Sequence, residues 1–238
     1  MRIAAIIPDR NDRPNFLAQC KKMLDYQSVK PDATFLINYL PRSEKPDITQ
    51  RYRTGYERVS ELNLKHPESA YDLIFFIEND DFYSRTYIED MLKAWEANGK
   101  PDLFGTSFTT YYHIGLRAYF NFYHPERASM MNTVIKPNLD IIWPPDHESF
   151  TDMHLWTRDR CLEGSKKVWT PNSQLSIGIK HGVGLCGGRQ HTTGLQRFTI
   201  KGGLGNEAAG GRDDSELKWL YQHVKEESIF NFYKSFGK

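Results

Sequence analysis

Leu73-Ile74-Phe75-Phe76-Ile77-Glu78-Asn79-Asp80-Asp81 passes from five apolar side chains to three carboxylates and one amide with nothing in between. The apolar part does not alternate, which is the pattern of a central parallel strand buried on both faces. Strands of that kind build open α/β sheets, whose ligands bind outside the carboxyl ends of the strands. Acids clustered at such an end suit a divalent cation, because Mg²⁺ is held by one or two carboxylates while substrate phosphates complete its coordination. The competing reading is a solvated turn that caps the following helix. The two-faced burial expected of Leu73 to Ile77 favours a ligand site.

The flanking sequence repeats the strand and helix signals. Ile3 to Ile7 reads as a buried strand, and Phe16, Leu17, Cys20, Met23 and Leu24 recur at helical spacing. Thr34 to Ile37 is a second apolar run, followed by a helix expected from Gln50 to about Leu62 with Tyr52, Tyr56 and Val59 on one face. After the acids, Tyr87, Ile88, Met91, Leu92 and Trp95 mark an amphipathic helix that stops at Asn98-Gly99-Lys100-Pro101, and Leu103 to Phe108 reads as a strand. This alternation predicts an α/β fold: a single domain with a doubly wound, mostly parallel sheet and helices on both faces. Tyr111 to Phe150 is less regular, crowded with aromatic residues and interrupted by Trp143-Pro144-Pro145, and is expected to shape an acceptor pocket. A last helix is expected from Asp214 to about Val224, with Asp213 and Glu216 at capping-box spacing, and the aromatic tail beyond it is expected to dock or to pair two copies as a homodimer.

Composition sets outer bounds. A chain of 238 residues buries a sizeable core, and at about 100–200 residues per domain one enlarged domain is expected. The formal net charge of +1 provides no global field toward nucleic acid or an anionic membrane. Cys20, Cys161 and Cys186 are far apart and form no C-x-x-C pair, so neither a disulfide framework nor a cysteine zinc site is indicated. The apolar start Ile3 to Ile7 is too short for a signal peptide core or a membrane span, so a soluble, cytoplasmic protein is expected.

Eleven of the 17 glycines fall between Gly178 and Gly211, interleaved with Lys180, His181, Arg189, His191, Arg197, Lys201 and Arg212. Glycine permits close backbone approach and the basic groups suit a diphosphate, so residues 178–212 are expected to form a lid; the alternative is a solvated loop.

Together these residues resemble the family-2-like glycosyltransferases of GT-A fold, over roughly Arg2 to His191. The opening Ile3-Ala4-Ala5-Ile6-Ile7-Pro8-Asp9-Arg10-Asn11, followed by Arg13-Pro14-Asn15-Phe16-Leu17, is similar to the family's first strand, turn and helix. The resemblance implies that Pro8, Arg10 and Asn11 lie against the nucleotide. Glu78-Asn79-Asp80-Asp81 stands for the family's D-x-D signature, with Glu in place of the first Asp. By that register Asp80 or Asp81 is the principal ligand of Mn²⁺ or Mg²⁺, and Glu78 and Asn79 lie near the donor. Thr151-Asp152-Met153-His154-Leu155-Trp156 is similar to the E-D-x-x-L segment, which implies Asp152 as catalytic base in an inverting reaction. Asn38-Tyr39 stands where the family recognises the nucleobase, and these two suit a uracil by pairing and stacking. A late histidine, His181 or His191, completes the metal set by the same resemblance, with Lys180 and Arg189 on the diphosphate.

The expected arrangement is a donor-binding half over residues 1–110, an acceptor and catalytic half over 111–212, and a C-terminal helix and tail over 213–238. The expected activity is metal-dependent transfer of a sugar from a nucleotide diphosphate, with a UDP-sugar favoured. The hydroxyl acceptor stays open between a saccharide, a protein, a small molecule and a modified DNA base. The rivals are a nucleotidyltransferase, which usually carries a G-x-G-T-R turn where this chain has Pro8-Asp9-Arg10-Asn11, a two-carboxylate glycoside hydrolase, and a non-catalytic sugar- or partner-binding module.

Overall fold

The computed structural model describes residues 1–42, 44–157, 161–182 and 211–236. The first half alternates as its hydrophobic pattern requires: β1 (Ile3–Pro8), α1 (Pro14–Asp25), β2 (Ala33–Ile37), α2 (Ile48–Lys65), β3 (Leu73–Phe76), β4 (Phe82–Tyr83), α3 (Tyr87–Ala97) and β5 (Leu103–Thr106). It continues through β6 (Phe108–His113), β7 (Ala118–Tyr123), β8 (Thr133–Ile135), α4 (Thr151–Thr157), β9 (Lys166–Trp169) and β10 (Ser176–Lys180). After the residues left undescribed come β11 (Arg212–Asp213), α5 (Lys218–His223) and α6 (Glu227–Ser235).

A six-stranded sheet in the order β2-β1-β3-β8-β5-β9 forms the centre. β1 pairs in parallel with β2 and β3, β5 pairs in parallel with β9, and β8 runs antiparallel between β3 and β5. Five strands therefore share one direction. The parity of β1 and β3 sorts the helices onto two faces, because successive side chains on a strand point to opposite sides. Ile3, Ala5, Ile7, Leu73, Phe75 and Ile77 join Phe16, Cys20 and Met23 of α1 and Tyr87, Ile88 and Met91 of α3 in one core. Ala4, Ile6, Ile74 and Phe76 join Tyr52, Tyr56 and Val59 of α2 and Leu155 and Trp156 of α4 in the other. Full burial of both Phe75 and Phe76, each contributing about 1.5–3 kcal/mol, explains the lack of alternation in that strand. The fold is thus mixed α/β, with helices on both sides of a mostly parallel sheet.

A second, five-stranded sheet, β11-β7-β6-β10-β4, was not legible in the sequence. The stretch read as irregular from Tyr111 onward begins with the hairpin β6–β7, whose register pairs Phe108 with Tyr123 and His113 with Ala118. Aromatic residues occupy both of its faces and so mask the period of two. Tyr111 stacks on Phe120, while Tyr119 on the other side stacks on Trp219. The C-terminal segment also differs from expectation. Its helix spans only Lys218–His223, and the capping carboxylate is Asp214, which accepts the N–H groups of Trp219 and Leu220 and the Tyr112 hydroxyl. The aromatic tail docks on its own chain, where Phe232 and Phe236 of the α6 region lie 5.3 and 4.9 Å from the Phe16 ring. Among the described residues no helix is long and apolar enough to cross a membrane.

β5 approaches its neighbours closely at Gly105, where an added Cβ would lie 2.4 Å from Ala128 Cβ and 2.7 Å from the Asn132 carbonyl. Gly105→Ala is expected to destabilise the protein by about 1–3 kcal/mol through overpacking. Urea unfolding monitored by tryptophan fluorescence checks this, and an unchanged midpoint would refute the close packing.

Candidate functional site

The acidic turn sits where the two sheets meet. β3 belongs to the first sheet, and four residues of turn after Ile77 deliver the chain to β4, which pairs antiparallel with β10 of the second. The turn is held from both ends. Glu78 N–H donates to the Tyr83 hydroxyl at 2.8 Å, and Asp81 Oδ1 accepts the Ile179 N–H at 2.8 Å, continuing along β10 where β4 ends. Asn79 is drawn under β1 by a 2.7 Å bond from its amide nitrogen to Asp9 Oδ1.

One carboxylate oxygen from each of Glu78, Asp80 and Asp81 lies within 4.8 Å of the others. Asp81 is 1% exposed, and its Oδ2 has no hydrogen-bond partner among the described residues. A buried carboxylate oxygen left unpaired carries a desolvation cost that a cation can offset. Burial also pushes the Glu78 carboxyl up to about 7, with the charge of Asp80 adding to the shift and Lys180 opposing it. Asp81 is raised further by burial, then by Glu78 and Asp80. Asp80 goes the other way: burial alone would raise it, but Arg13, His181 and Lys180 together hold it below the ordinary carboxylate range. Asp80 Oδ2 accepts from His181 Nε2 at 2.9 Å and from the Arg13 guanidinium. Lys180 stays firmly protonated, since Asp81, Tyr111, Glu78 and Asp80 outweigh the burial that would lower it, and its ammonium lies 5.0 Å over the Tyr111 ring.

The carboxyl ends of β1 and β2 present a second group. Asn11, in the left-handed region at φ 57°, donates from its amide to the Asn38 carbonyl at 2.8 Å, and Asn38 returns a 3.3 Å bond to Asn11 Oδ1. Asn is among the few residues that adopt this conformation readily. Arg10 pairs with Asp47 at 2.9 Å, and Asp47 pairs with the buried Arg51, which also holds the Ile37 carbonyl at 3.0 Å. This network fixes the loop that carries Tyr39, a residue 56% exposed.

Asp152 lies in the first turn of α4, paired with the Arg127 guanidinium, whose other nitrogen is 2.8 Å from His124 Nε2. Burial raises the Asp152 carboxyl while Arg127 opposes the rise. Burial and the same arginine push His124 down to about 4, so its ring is neutral and accepts the arginine N–H. The charge of Asp152 is felt at both Glu78 and Tyr111. Thr151, where the resembled segment carries Glu, is buried against Thr49.

The structure therefore gathers Glu78, Asp80, Asp81, Lys180, His181 and Asp152 into one electrostatic neighbourhood, and Pro8, Arg10, Asn11, Asn38 and Tyr39 at the adjacent strand ends. Arg189 and His191, with residues 183–210 of the glycine-rich segment, lie outside the described residues. His181 packs its ring 4.5 Å from Phe16 and presents Nε2 to Asp80, so in this arrangement that nitrogen serves as a donor. Sequence reasoning gave no site role to Arg13, Arg127, Tyr83 or Tyr52, whose hydroxyl donates to Glu78 Oε1 at 3.3 Å. Arg13 carried one usable signal, its place directly before Pro14 at the start of α1; Arg127 carried none.

The chain matches no protein-family model and no curated protein. Among solved structures it is similar to S. aureus TarS 1–349 in complex with UDP-GlcNAc, at 11% identity and a TM-score of 0.47, covering 77% of this chain and 60% of that one. It is also similar to a glycosyltransferase involved in the glycosylation of the major capsid of PBCV-1, at 9% identity and a TM-score of 0.43, covering 75% of this chain and 93% of that one. At these identities the functional reading rests on the site's own residues.

The buried acids lead to a stability prediction for the metal-free protein. The Asp81 pKa is raised on folding, so the folded state binds its proton more tightly than the unfolded chain, and stability from this group falls as pH climbs above about 4. Asp81→Asn keeps an oxygen for the Ile179 N–H and removes the charge. In EDTA its melting temperature is expected to exceed that of the wild type, by more at pH 8 than at pH 4.5. A variant that is less stable at pH 8 would contradict the assigned cost of the buried charge.

Proposed function

We propose that this protein is a metal-dependent glycosyltransferase that moves a sugar from a nucleotide diphosphate, a UDP-sugar by preference, to a hydroxyl acceptor with inversion. The observation that carries the reading is the acidic turn: three carboxyls converge at a strand end, and the buried Asp81 Oδ2 has no partner among the described residues. All-oxygen donors of this kind fit a hard divalent ion such as Mn²⁺ or Mg²⁺, held by Asp80 and Asp81 with Glu78 beside them. When bound, such an ion neutralises charge on the leaving diphosphate.

The chain's own residues supply the rest. The carboxyl ends of β1 and β2 receive the nucleoside, where Asn11 and Asn38 offer amide hydrogen-bonding groups and Tyr39 a stacking surface. Lys180, held protonated by its acidic neighbours, adds positive charge against the diphosphate. On the acceptor side Asp152 takes the hydroxyl proton as the acceptor oxygen bonds to the anomeric carbon and the bond from that carbon to the diphosphate breaks. Its upward-shifted pKa makes it a stronger base than an exposed aspartate, and Arg127 keeps the carboxylate form accessible. In this reading residues 1–110 bind the nucleotide-sugar and residues 111–212 form the acceptor and catalytic half, from which Lys180 reaches the diphosphate, in the manner of a GT-A domain.

Isothermal titration with UDP and UDP-sugars tests the donor site. Binding is expected with Mn²⁺ or Mg²⁺ and to be lost in EDTA, and Asp80→Ala is expected to abolish both the metal dependence and turnover; equal affinity in EDTA would remove the metal from the mechanism. Asp152→Asn is expected to fold and to bind donor normally while lowering transfer by about 10²-fold or more. The wild-type rate should also fall on the acid side of a pKa displaced above that of ordinary aspartate, a limb the variant lacks. Donor binding without any turnover would turn the reading toward a non-catalytic nucleotide-sugar module.

A further inference from the structure

Among the described residues Asp80 is the one acid of the turn that forms an ion pair with an arginine. Its Oδ2 accepts from both the Arg13 guanidinium and His181 Nε2, and those two donors are themselves 3.2 Å apart. Arg13 is not a wandering surface side chain. It is the N-cap residue of α1, directly before Pro14, its carbonyl accepts the Leu17 N–H at 3.1 Å, and its Nε lies 3.4 Å from Asp12 Oδ1. The side chain is only 17% exposed, so solvent screens its charge weakly. Lys180, by contrast, rests over the Tyr111 ring.

From this we infer that Arg13 is a built-in counter-cation for the acidic turn, which holds Asp80 ready in the metal-free protein and competes with the divalent ion for it. The inference rests on the metal assignment made above and adds a residue that sets how tightly the ion is held. Two effects act in the same direction. A guanidinium on Asp80 Oδ2 occupies lone pairs that an ion needs, and a positive charge a few ångströms from a divalent cation repels it strongly at the low effective dielectric of a partly buried site. Without Arg13 the three acids would face one another with less compensation, so the same side chain supports the folded, metal-free state.

The test uses the full chain, Mn²⁺ alone as probe, and no nucleotide. Free Mn²⁺ measured by electron paramagnetic resonance should show Arg13→Gln binding the ion about tenfold or more tightly than wild type. The same variant should melt at a lower temperature in EDTA and gain more on adding Mn²⁺ than wild type gains. Affinity in Arg13→Gln that is equal to or weaker than wild type overturns the inference while leaving the metal site intact. Absence of Mn²⁺ binding in both proteins removes the metal assignment and the inference together. If Arg13→Gln does not fold, wild type decides: the Arg13 side-chain ¹⁵N resonance, followed during Mg²⁺ titration, should shift in step with saturation. A resonance unchanged at saturation overturns the inference.

Discussion

A single hydrogen bond, from the Ile179 N–H to the buried Asp81 carboxylate, joins the end of β10 to the turn that follows β3. Together with the direct run of chain from β3 into β4 and the bond from the Asn132 amide to Thr109 of β6, it holds the two sheets against each other at the site. β3 alone would deliver Glu78 to Asp81 to the rim of the central sheet, and β10 alone would deliver Lys180 and His181 to the rim of the second. Joined at Asp81, the two rims become one basin in which acids and cations sit within a few ångströms. The bond uses only one oxygen, and the other is buried without a hydrogen-bond partner among the described residues, where a metal ion is proposed to bind.

That arrangement is costly in the isolated protein. Glu78 is raised by burial and by the charge of Asp80, and Asp81 by burial and by the charges of Glu78 and Asp80, so ionising them works against folding. Proteins retain such costs mainly where function requires them. Asp80 is the exception because Arg13 and His181 support its charge. The three neighbouring carboxyls thus separate into one firmly ionised group and two reluctant ones, and their different environments set the difference, since Glu and Asp have similar intrinsic pKa values.

The same reasoning extends to Asp152. Its neighbour Arg127 opposes the rise that burial imposes, and Arg127 is in turn oriented by a neutral His124. The chain His124, Arg127, Asp152 resembles the acidic turn in outline: a partly buried carboxylate kept usable by one guanidinium that another side chain positions.

The central sheet, the helices on its two faces and the acids at the end of β3 were legible in the sequence, because burial on both faces, helical periodicity and the abrupt change at Glu78 are all local patterns. Asn11, Asn38 and Asp152 were named only through the family resemblance, and Lys180 and His181 through that resemblance and the basic residues of the glycine-rich run; no periodicity marks any of them. The second sheet was not legible: aromatic residues on both faces of Tyr111 to Tyr123 erase the alternation that marks a hairpin. The helix near the C terminus was overextended because Asp214 lies outside it, accepting the Trp219 and Leu220 N–H groups and the hydroxyl of Tyr112, a residue about a hundred positions away. Above all, the pairings Arg13 with Asp80, Arg127 with Asp152 and Ile179 with Asp81 join residues 67, 25 and 98 positions apart. Residue identity alone decides which side chains could carry charge, but the charge each one carries, and which neighbour bears its cost, follows from desolvation and Coulomb energy at short range, and those distances exist only after the two sheets have closed on each other.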